Sequence, residues 1–154
     1  GKYDKVGLNS EWGCSKKIWD ETHTTGQFAY GTVHPYGLDC TGFIKWSFVN
    51  AGFDASLIPR SDMKYKWGDA VPKTIEFASA GNQVNNIKPG DVLWREGHAV
   101  LVVAVDDTRI KIAQAVYAGI KEDLIDKTTG KAITDTGDFT HFILLEEFYQ
   151  KYGN

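Results

Sequence analysis

The feature that most constrains this chain is the hydrophobic pattern of its second half, where short apolar runs alternate with turn residues. Residues 98–105 are rich in β-branched side chains and end at Asp106 and Asp107, and residues 109–116 alternate apolar and polar side chains. Runs of this kind predict strands, and the short step between them predicts a hairpin. Further strands are predicted at 92–94, 118–124 and 141–145.

The first half of the chain has the periodicity of helices. Between residues 40 and 51, the apolar side chains Phe43, Ile44 and Phe48 recur at helical spacing. Two weaker helical patterns lie at 10–24 and 72–80. Helices followed by an antiparallel sheet predict an α+β fold, in which N-terminal helices pack on a central antiparallel β-sheet.

Length and composition bound the class of protein. A chain of 154 residues suggests a single domain, residues 1–154, that can bury about 70% of its unfolded surface. Its 13% aromatic content excludes a disordered chain, and its net charge of −3 argues against a nucleic-acid partner. No apolar run approaches the roughly 20 residues of a membrane helix, so we expect no membrane span. We also expect a monomer that uses neither a cofactor nor a metal.

The N-terminus and the cysteine count leave the compartment open. The chain begins Gly-Lys-Tyr-Asp, without the apolar segment of a signal peptide, which fits a mature form or a domain excised from a larger secreted protein. Its two cysteines, Cys14 and Cys40, do not make a disulfide framework, although one bridge between them is possible by count.

Cys40 stands where the helix predicted at 40–51 begins. Unpaired N–H groups and the positive end of the helix dipole lie at such a position, and they stabilise a thiolate. The same N–H groups can bind the oxyanion of a tetrahedral intermediate. Cys40 is therefore a candidate nucleophile, while the alternative for a lone cysteine is a small buried hydrophobic side chain.

A cysteine nucleophile needs a histidine that takes up its proton and returns it. Of His23, His34, His98 and His141, His98 has the best context because it opens a predicted strand directly after a glycine. A third polar group on a neighbouring strand orients the imidazole, and Gln114 fits because its side-chain oxygen can accept the second ring N–H. The alternative for Gln114 is an ordinary solvent-facing strand residue.

With these residues together, the chain resembles the NlpC family of papain-like bacterial cell-wall peptidases. Residues 39–43 (DCTGF) are similar to the family's Asp-Cys-Ser-Gly-Leu/Phe nucleophile motif. Residues 88–94 (KPGDVLW) and 97–100 (GHAV) are similar to its Lys-Pro-Gly-Asp strand and its catalytic histidine, and residues 112–115 (IAQA) match the place of its third polar residue. The resemblance covers about residues 15–145.

The resemblance implies a papain-like fold and a secreted or cell-wall-associated bacterial cysteine endopeptidase. Its substrate would be the stem peptide of peptidoglycan, commonly cut between γ-D-glutamate and a diamino acid. Cys40 would be the nucleophile, His98 the general base and acid, and Gln114 the orienting residue.

The resemblance also implies substrate-binding residues. The residues expected to hold the N-terminal amine and the D-glutamate carboxylate of the substrate are Asp39, Thr41 and Arg60. In the family a tyrosine hydroxyl reaches the active site, whereas Phe28 stands in that place here. Tyr30 and Tyr36 are both candidates to supply the hydroxyl instead.

Three alternative functions stay open on the sequence. An N-acetylmuramoyl-L-alanine amidase would use the same chemistry in a differently shaped groove. A non-catalytic cell-wall-binding module would retain the fold with an unreactive Cys40. A metal site made of Cys40, His98 and His34 has the least support, because no Cys-x-x-Cys or His-x-x-x-His spacing accompanies them.

Overall fold

The structure is a computed structural model that describes residues 15–17, 33–35, 40–59, 62–116 and 119–153. The elements in chain order are β1 (Ser15–Lys17), β2 (Val33–Pro35), α1 (Cys40–Asn50), β3 (Lys73–Glu76), β4 (Val92–Arg95), β5 (His98–Val105), β6 (Arg109–Val116), β7 (Gly119–Asp126), β8 (His141–Leu144) and α2 (Glu146–Tyr152). Short 3-10 turns lie at Ala55–Leu57, Phe77–Ser79 and Gly81–Asn86. No helix within the described ranges has the length and apolar character needed to cross a membrane.

An antiparallel sheet of six strands forms the centre of the fold, in the order β3-β8-β4-β5-β6-β7. β5 and β6 form the predicted hairpin with Leu101 opposite Ala113, and β6 pairs with β7 along its whole length. The strands predicted in the second half of the chain are confirmed to within one or two residues. With helices beside the sheet, the fold is α+β.

Apolar side chains cover both faces of the sheet, because successive residues of a strand point to opposite faces. On one face, Val100 and Ile112 pack with the segment 77–87. On the other face, Ala99 packs with Ile44 of α1 and with side chains of α2. The sheet is therefore the middle layer of the fold.

α1 confirms the helix predicted at 40–51, and it is the element that matters most for the site. Its buried residues are Gly42, Phe43, Ile44, Phe48 and Val49. This buried side packs against β5 and β6. The packing fixes the start of the helix, and with it Cys40, relative to the sheet.

The helix predicted at 10–24 is wrong in the part that the structure describes. Ser15–Lys17 is a strand that pairs antiparallel with Val33–Pro35. Backbone pairing with a distant segment outweighs the local pattern here, and sequence periodicity does not reveal such a partner. Among the described residues, α1 is thus the one α-helix before β3, where several N-terminal helices were predicted.

The helix predicted at 72–80 is also wrong. Lys73–Glu76 is a strand at the edge of the sheet that pairs with β8, and 3-10 turns follow it. Its central residues Thr74 and Ile75 are β-branched and favour a strand, but their partner strand lies far along the chain. α2 was not predicted, although glutamates in its first turn and Lys151 in its last turn complement the helix dipole.

The turn at residues 88–91 ties β4 to α2 through the carboxylate of Asp91. Asp91 Oδ2 accepts the Lys88 N–H at 2.8 Å, and Oδ1 accepts the N–H of Leu145, directly before α2, at 2.9 Å. Asp91 is only 4% exposed, and burial raises its pKa to about 6 although both N–H groups act in the opposite direction. The contacts of Asp91 are therefore those of a structural residue.

We expect Asp91→Asn to change how stability depends on pH. The folded pKa of about 6 lies above the ordinary value of 3.8, so between these values the folded chain holds a proton that the unfolded chain has released. The contribution of Asp91 to stability is therefore fully present below pH 3.8 and is lost as the pH rises through 6, by ~3 kcal/mol in all.

Urea unfolding gives the free energies of unfolding of the wild type and of Asp91→Asn from about pH 4 to pH 7. The change with pH in the difference between these two free energies measures the contribution of Asp91. The matched control is Asp107→Asn, which neutralises an exposed carboxylate. Parallel pH profiles for the wild type and Asp91→Asn would contradict the prediction.

Candidate active site

Cys40 is the first residue of α1 and carries a reduced, half-buried thiol. The helix has 11 residues, so its first N–H groups and the positive end of its dipole lie beside the thiol. Thr41, the next residue, is also half-buried. The local structure at Cys40 is thus the one predicted from the sequence, with the cysteine at the start of a packed helix.

His98 is the first residue of β5 and follows the turn made by Glu96 and Gly97. Gly97 has a φ of 77°, a left-handed conformation that glycine adopts without strain, and the turn brings His98 opposite Arg95. The imidazole is half-buried and hydrogen bonds with Cys40. The start of α1 and the start of β5 therefore meet at a thiol–imidazole pair.

Gln114 lies within β6 and is 1% exposed, so it is not a solvent-facing strand residue. Its Oε1 lies 2.7 Å from Nε2 of His98. Because an amide oxygen can only accept, the ring Nε2 is the donor, and Nδ1 is left for the hydrogen bond with Cys40. The structure thus brings the three predicted residues into one hydrogen-bonded chain with the imidazole in the middle.

The pKa of His98 is raised above its ordinary value. The hydrogen bond with Cys40 is the largest cause; burial acts against it, and the bond to Gln114 and the thiolate charge of Cys40 add to the rise. The positive charge of Arg95 lowers the pKa to a smaller extent. The site therefore stabilises an imidazolium next to Cys40, and a thiolate beside an imidazolium is an activated nucleophile.

Behind Gln114 lies a polar cluster that the sequence analysis missed. The amide Nε2 donates to Asp123 Oδ2 at 2.6 Å and to Thr136 Oγ1 at 3.0 Å. Thr134 Oγ1 donates to Asp123 Oδ1 at 2.7 Å, and Lys121 Nζ lies 3.1 Å from Asp123 Oδ2. Burial alone would raise the pKa of Asp123, but the bonds from Thr134, Lys121 and Gln114 outweigh it and the pKa is lowered.

One signal in the sequence could have led to Asp123. Gln114 pairs with Lys121 across β6 and β7, so Asp123, two residues further along β7, lies diagonally opposite Gln114 on the same face. The alternation of side chains along the strand 118–124 would have shown this once the register was known. Thr134 and Thr136 lie in an irregular segment, which periodicity does not connect to the site.

Two more residues beside the imidazole were not predicted. The rings of His98 and Phe139 are stacked with centroids 6.2 Å apart. The guanidinium carbon of Arg95 lies 4.9 Å from the centroid of the Phe139 ring. His141, by contrast, lies apart from this group, with its Nε2 3.6 Å from Oε1 of Glu76.

Of the predicted substrate-binding residues, the structure describes only Thr41. The other four lie outside the described residues: Asp39, Arg60, Tyr30 and Tyr36. Cys14 and His23 lie outside them as well. The proposed contacts of these residues with a substrate therefore rest on the resemblance alone.

A cavity of about 770 Å³ lies between the turn at 88–91 and α2, away from the thiol–imidazole pair. Its lining includes Lys88, Glu146 and Tyr149 but none of the three residues of the hydrogen-bonded chain. In the part of the protein that the structure describes, no three His, Cys, Asp or Glu side chains are grouped so that they could hold a metal ion.

No protein-family model, curated protein or solved structure matches this chain.

We expect Cys40 to react with iodoacetamide at about pH 6, well below the pKa of about 8.5 of an ordinary thiol. His98→Ala removes the imidazolium that stabilises the thiolate, so alkylation at this pH should slow by about tenfold or more. The alkylation rates of the wild type and of His98→Ala should converge above about pH 9, where thiols ionise without help. Mass spectrometry of the labelled protein against time measures the rate.

The matched control is His141→Ala, which removes a histidine of the same sheet that lies outside the site. Its alkylation rate should equal that of the wild type at every pH. Equal rates for the wild type and His98→Ala at pH 6 would show that His98 does not activate Cys40.

Proposed function

We propose that this protein is a cysteine endopeptidase with a papain-like fold of the NlpC type, which hydrolyses the stem peptides of bacterial peptidoglycan. The observation that carries the proposal is the hydrogen-bonded chain from Cys40 through His98 to Gln114. The order of these groups is that of a nucleophile, a general base and an orienting residue. The substrate class comes from the resemblance of the motifs around them.

The first half of the reaction forms an acyl-enzyme. The thiolate of Cys40 attacks the carbonyl carbon of the scissile amide, and the N–H groups at the start of α1 bind the resulting oxyanion. His98 then gives its Nδ1 proton to the leaving nitrogen as the C–N bond breaks. An amine departs, and a thioester between Cys40 and the acyl group is left.

The second half of the reaction restores the enzyme. Neutral His98 takes a proton from a water molecule, whose oxygen attacks the thioester carbonyl. The C–S bond breaks, a carboxylic acid is released, and Cys40 returns to the thiolate beside an imidazolium. Gln114 keeps the ring in one orientation throughout, because its Oε1 accepts the Nε2 proton in both charge states of the ring.

The bond cut and the site of action follow the same resemblance. The proposed scissile bond joins γ-D-glutamate to a diamino acid, and the enzyme is proposed to act in the cell wall or as a secreted protein. Asp39, Thr41 and Arg60 are proposed to hold the amine and the carboxylate of the substrate, with Tyr30 or Tyr36 supplying a hydroxyl. Arginine suits a carboxylate because its guanidinium can bind both oxygens at once.

We expect Cys40→Ala to abolish hydrolysis of soluble muropeptides without changing the thermal melt, because it removes the nucleophile and only a half-buried side chain. Mass spectrometry of the products distinguishes the possible functions. Fragments that end in γ-D-glutamate, formed by the wild type alone, support the endopeptidase. Intact stem peptides that begin at L-Ala would identify an amidase instead.

The matched control is Cys14→Ala, which removes the other cysteine of the chain and should leave the products unchanged. Hydrolysis that persists in Cys40→Ala would overturn the nucleophile assignment. A wild type that cuts nothing and whose folded form resists alkylation would favour the non-catalytic wall-binding module.

We expect Gln114→Ala to lower kcat less than His98→Ala does. Loss of the general acid and base should cost about 10²- to 10⁴-fold in kcat. Loss of an orienting hydrogen bond leaves the proton-transferring group in place and should cost less. Steady-state hydrolysis of a purified muropeptide measures both variants. Equal losses would mean that the imidazole cannot work without the amide.

A further inference from the structure

We infer that Asp123 is a positioning residue of this site, which acts through Gln114 to hold His98 as an imidazolium facing Cys40. The inference rests on the proposed roles of Cys40 and His98. The hydrogen bonds and the ion pair of the Asp123 carboxylate are made with Gln114, Thr134 and Lys121, and not with the thiol or the imidazole. The inference is supported by the hydrogen bonds that the Gln114 amide nitrogen donates to Asp123 and Thr136.

One end of the Gln114 amide faces the imidazole of His98, and the other end faces Asp123. An amide presents an acceptor oxygen and a donor nitrogen of nearly the same shape, so its partners decide its orientation. The Asp123 carboxylate, 2.6 Å from Nε2, can only accept, and therefore it fixes the nitrogen on its own side. The oxygen is left to face Nε2 of His98, at 2.7 Å.

The orientation of the Gln114 amide bears on the protonation of the His98 ring. An amide oxygen accepts a proton from Nε2, whereas an amide nitrogen in the same place would need Nε2 without a proton. The observed orientation therefore favours the ring forms that carry a proton on Nε2, including the imidazolium. Thr136 cannot impose this choice, because its hydroxyl, 3.0 Å from the amide nitrogen, can both donate and accept.

Asp123 also places a negative charge on the far side of the Gln114 amide. Asp123 is 6% exposed, and its Oδ1 accepts the Thr134 hydroxyl at 2.7 Å, so the carboxylate is anchored in one position. A carboxylate that accepts from an amide N–H makes the amide oxygen a better acceptor, because hydrogen bonds in a chain polarise one another. Lys121, 3.1 Å away, balances part of this charge. The charges that shift the pKa of His98 are those of Cys40, which raises it, and Arg95, which lowers it.

Asp123→Asn tests the inference, because it keeps the shape of the side chain and removes its charge and its exclusive role as an acceptor. The readout is the titration of the His98 ring protons by NMR, assigned by their loss in His98→Ala. We expect the pKa of His98 to fall, because the amide loses the acceptor that fixes its orientation and polarises its oxygen. Hydrolysis should lose kcat with KM unchanged, since Asp123 is not placed at the substrate.

Two further variants make the test specific. Asp126→Asn removes a carboxylate from the same strand, where it accepts from Thr129 in a turn, and should leave the His98 titration unchanged. Asp123→Ser removes the carboxylate and leaves a hydroxyl that can both donate and accept, so it should lower the pKa of His98 as Asp123→Asn does.

An unchanged His98 titration in Asp123→Asn overturns the inference, and so does an equal fall in Asp126→Asn. Should Asp123→Asn fail to fold, Asp123→Ser decides: a His98 pKa equal to that of the wild type overturns the inference, and a lower one supports it. The titration needs no substrate. A failure to cut muropeptides would therefore count against the proposed function and leave the result on Asp123 standing.

Discussion

The register of β5, β6 and β7 is the constraint on which the site depends. Pairing of Leu101 with Ala113 puts Gln114 within reach of His98, and pairing of Gln114 with Lys121 puts Asp123 behind the amide. A slip of one residue in either pair would turn the shifted strand's side chains to the opposite face of the sheet. Apolar residues of the same strands are buried on both faces of the sheet and hold this register. The packing of the core therefore also sets the geometry of the site.

The second constraint is the packing of α1 on those strands. The start of α1 combines a nucleophile, the positive end of the helix dipole and unpaired N–H groups. Contact with the sheet then decides which histidine lies beside them. Phe43 of α1 packs with Ala113 and Ala115 of β6, on either side of Gln114 along the strand. The small side chains let the helix approach closely. Substitutions of these alanines by larger residues would move Cys40 as well as the helix.

Much of this arrangement could be predicted from the sequence, and the failures share a physical reason. The α1 helix and the strands from β4 to β8 have local signals: apolar periodicity, β-branched runs and turn residues. β1 and β3 have only three and four residues, and the β-branched pair Thr74 and Ile75 of β3 is too short a signal to decide, so both strands depend on partners distant in the chain. Asp123 was missed for the same reason. Its role depends on a register, which periodicity alone cannot give, and on Thr134, which lies in an irregular segment.

The neutral amide at position 114 is explained by burial. Gln114 is 1% exposed, so a carboxylate in its place would be removed from water. Among the described residues, its partners would be the imidazolium of His98 and the hydroxyl of Thr136. A buried charge costs several kcal/mol unless its hydrogen bonds are satisfied. The structure instead places the charge one residue further away, at Asp123, where Thr134, Lys121 and the amide itself satisfy it. The amide then gives the imidazolium an acceptor while the anion stays where its own partners are.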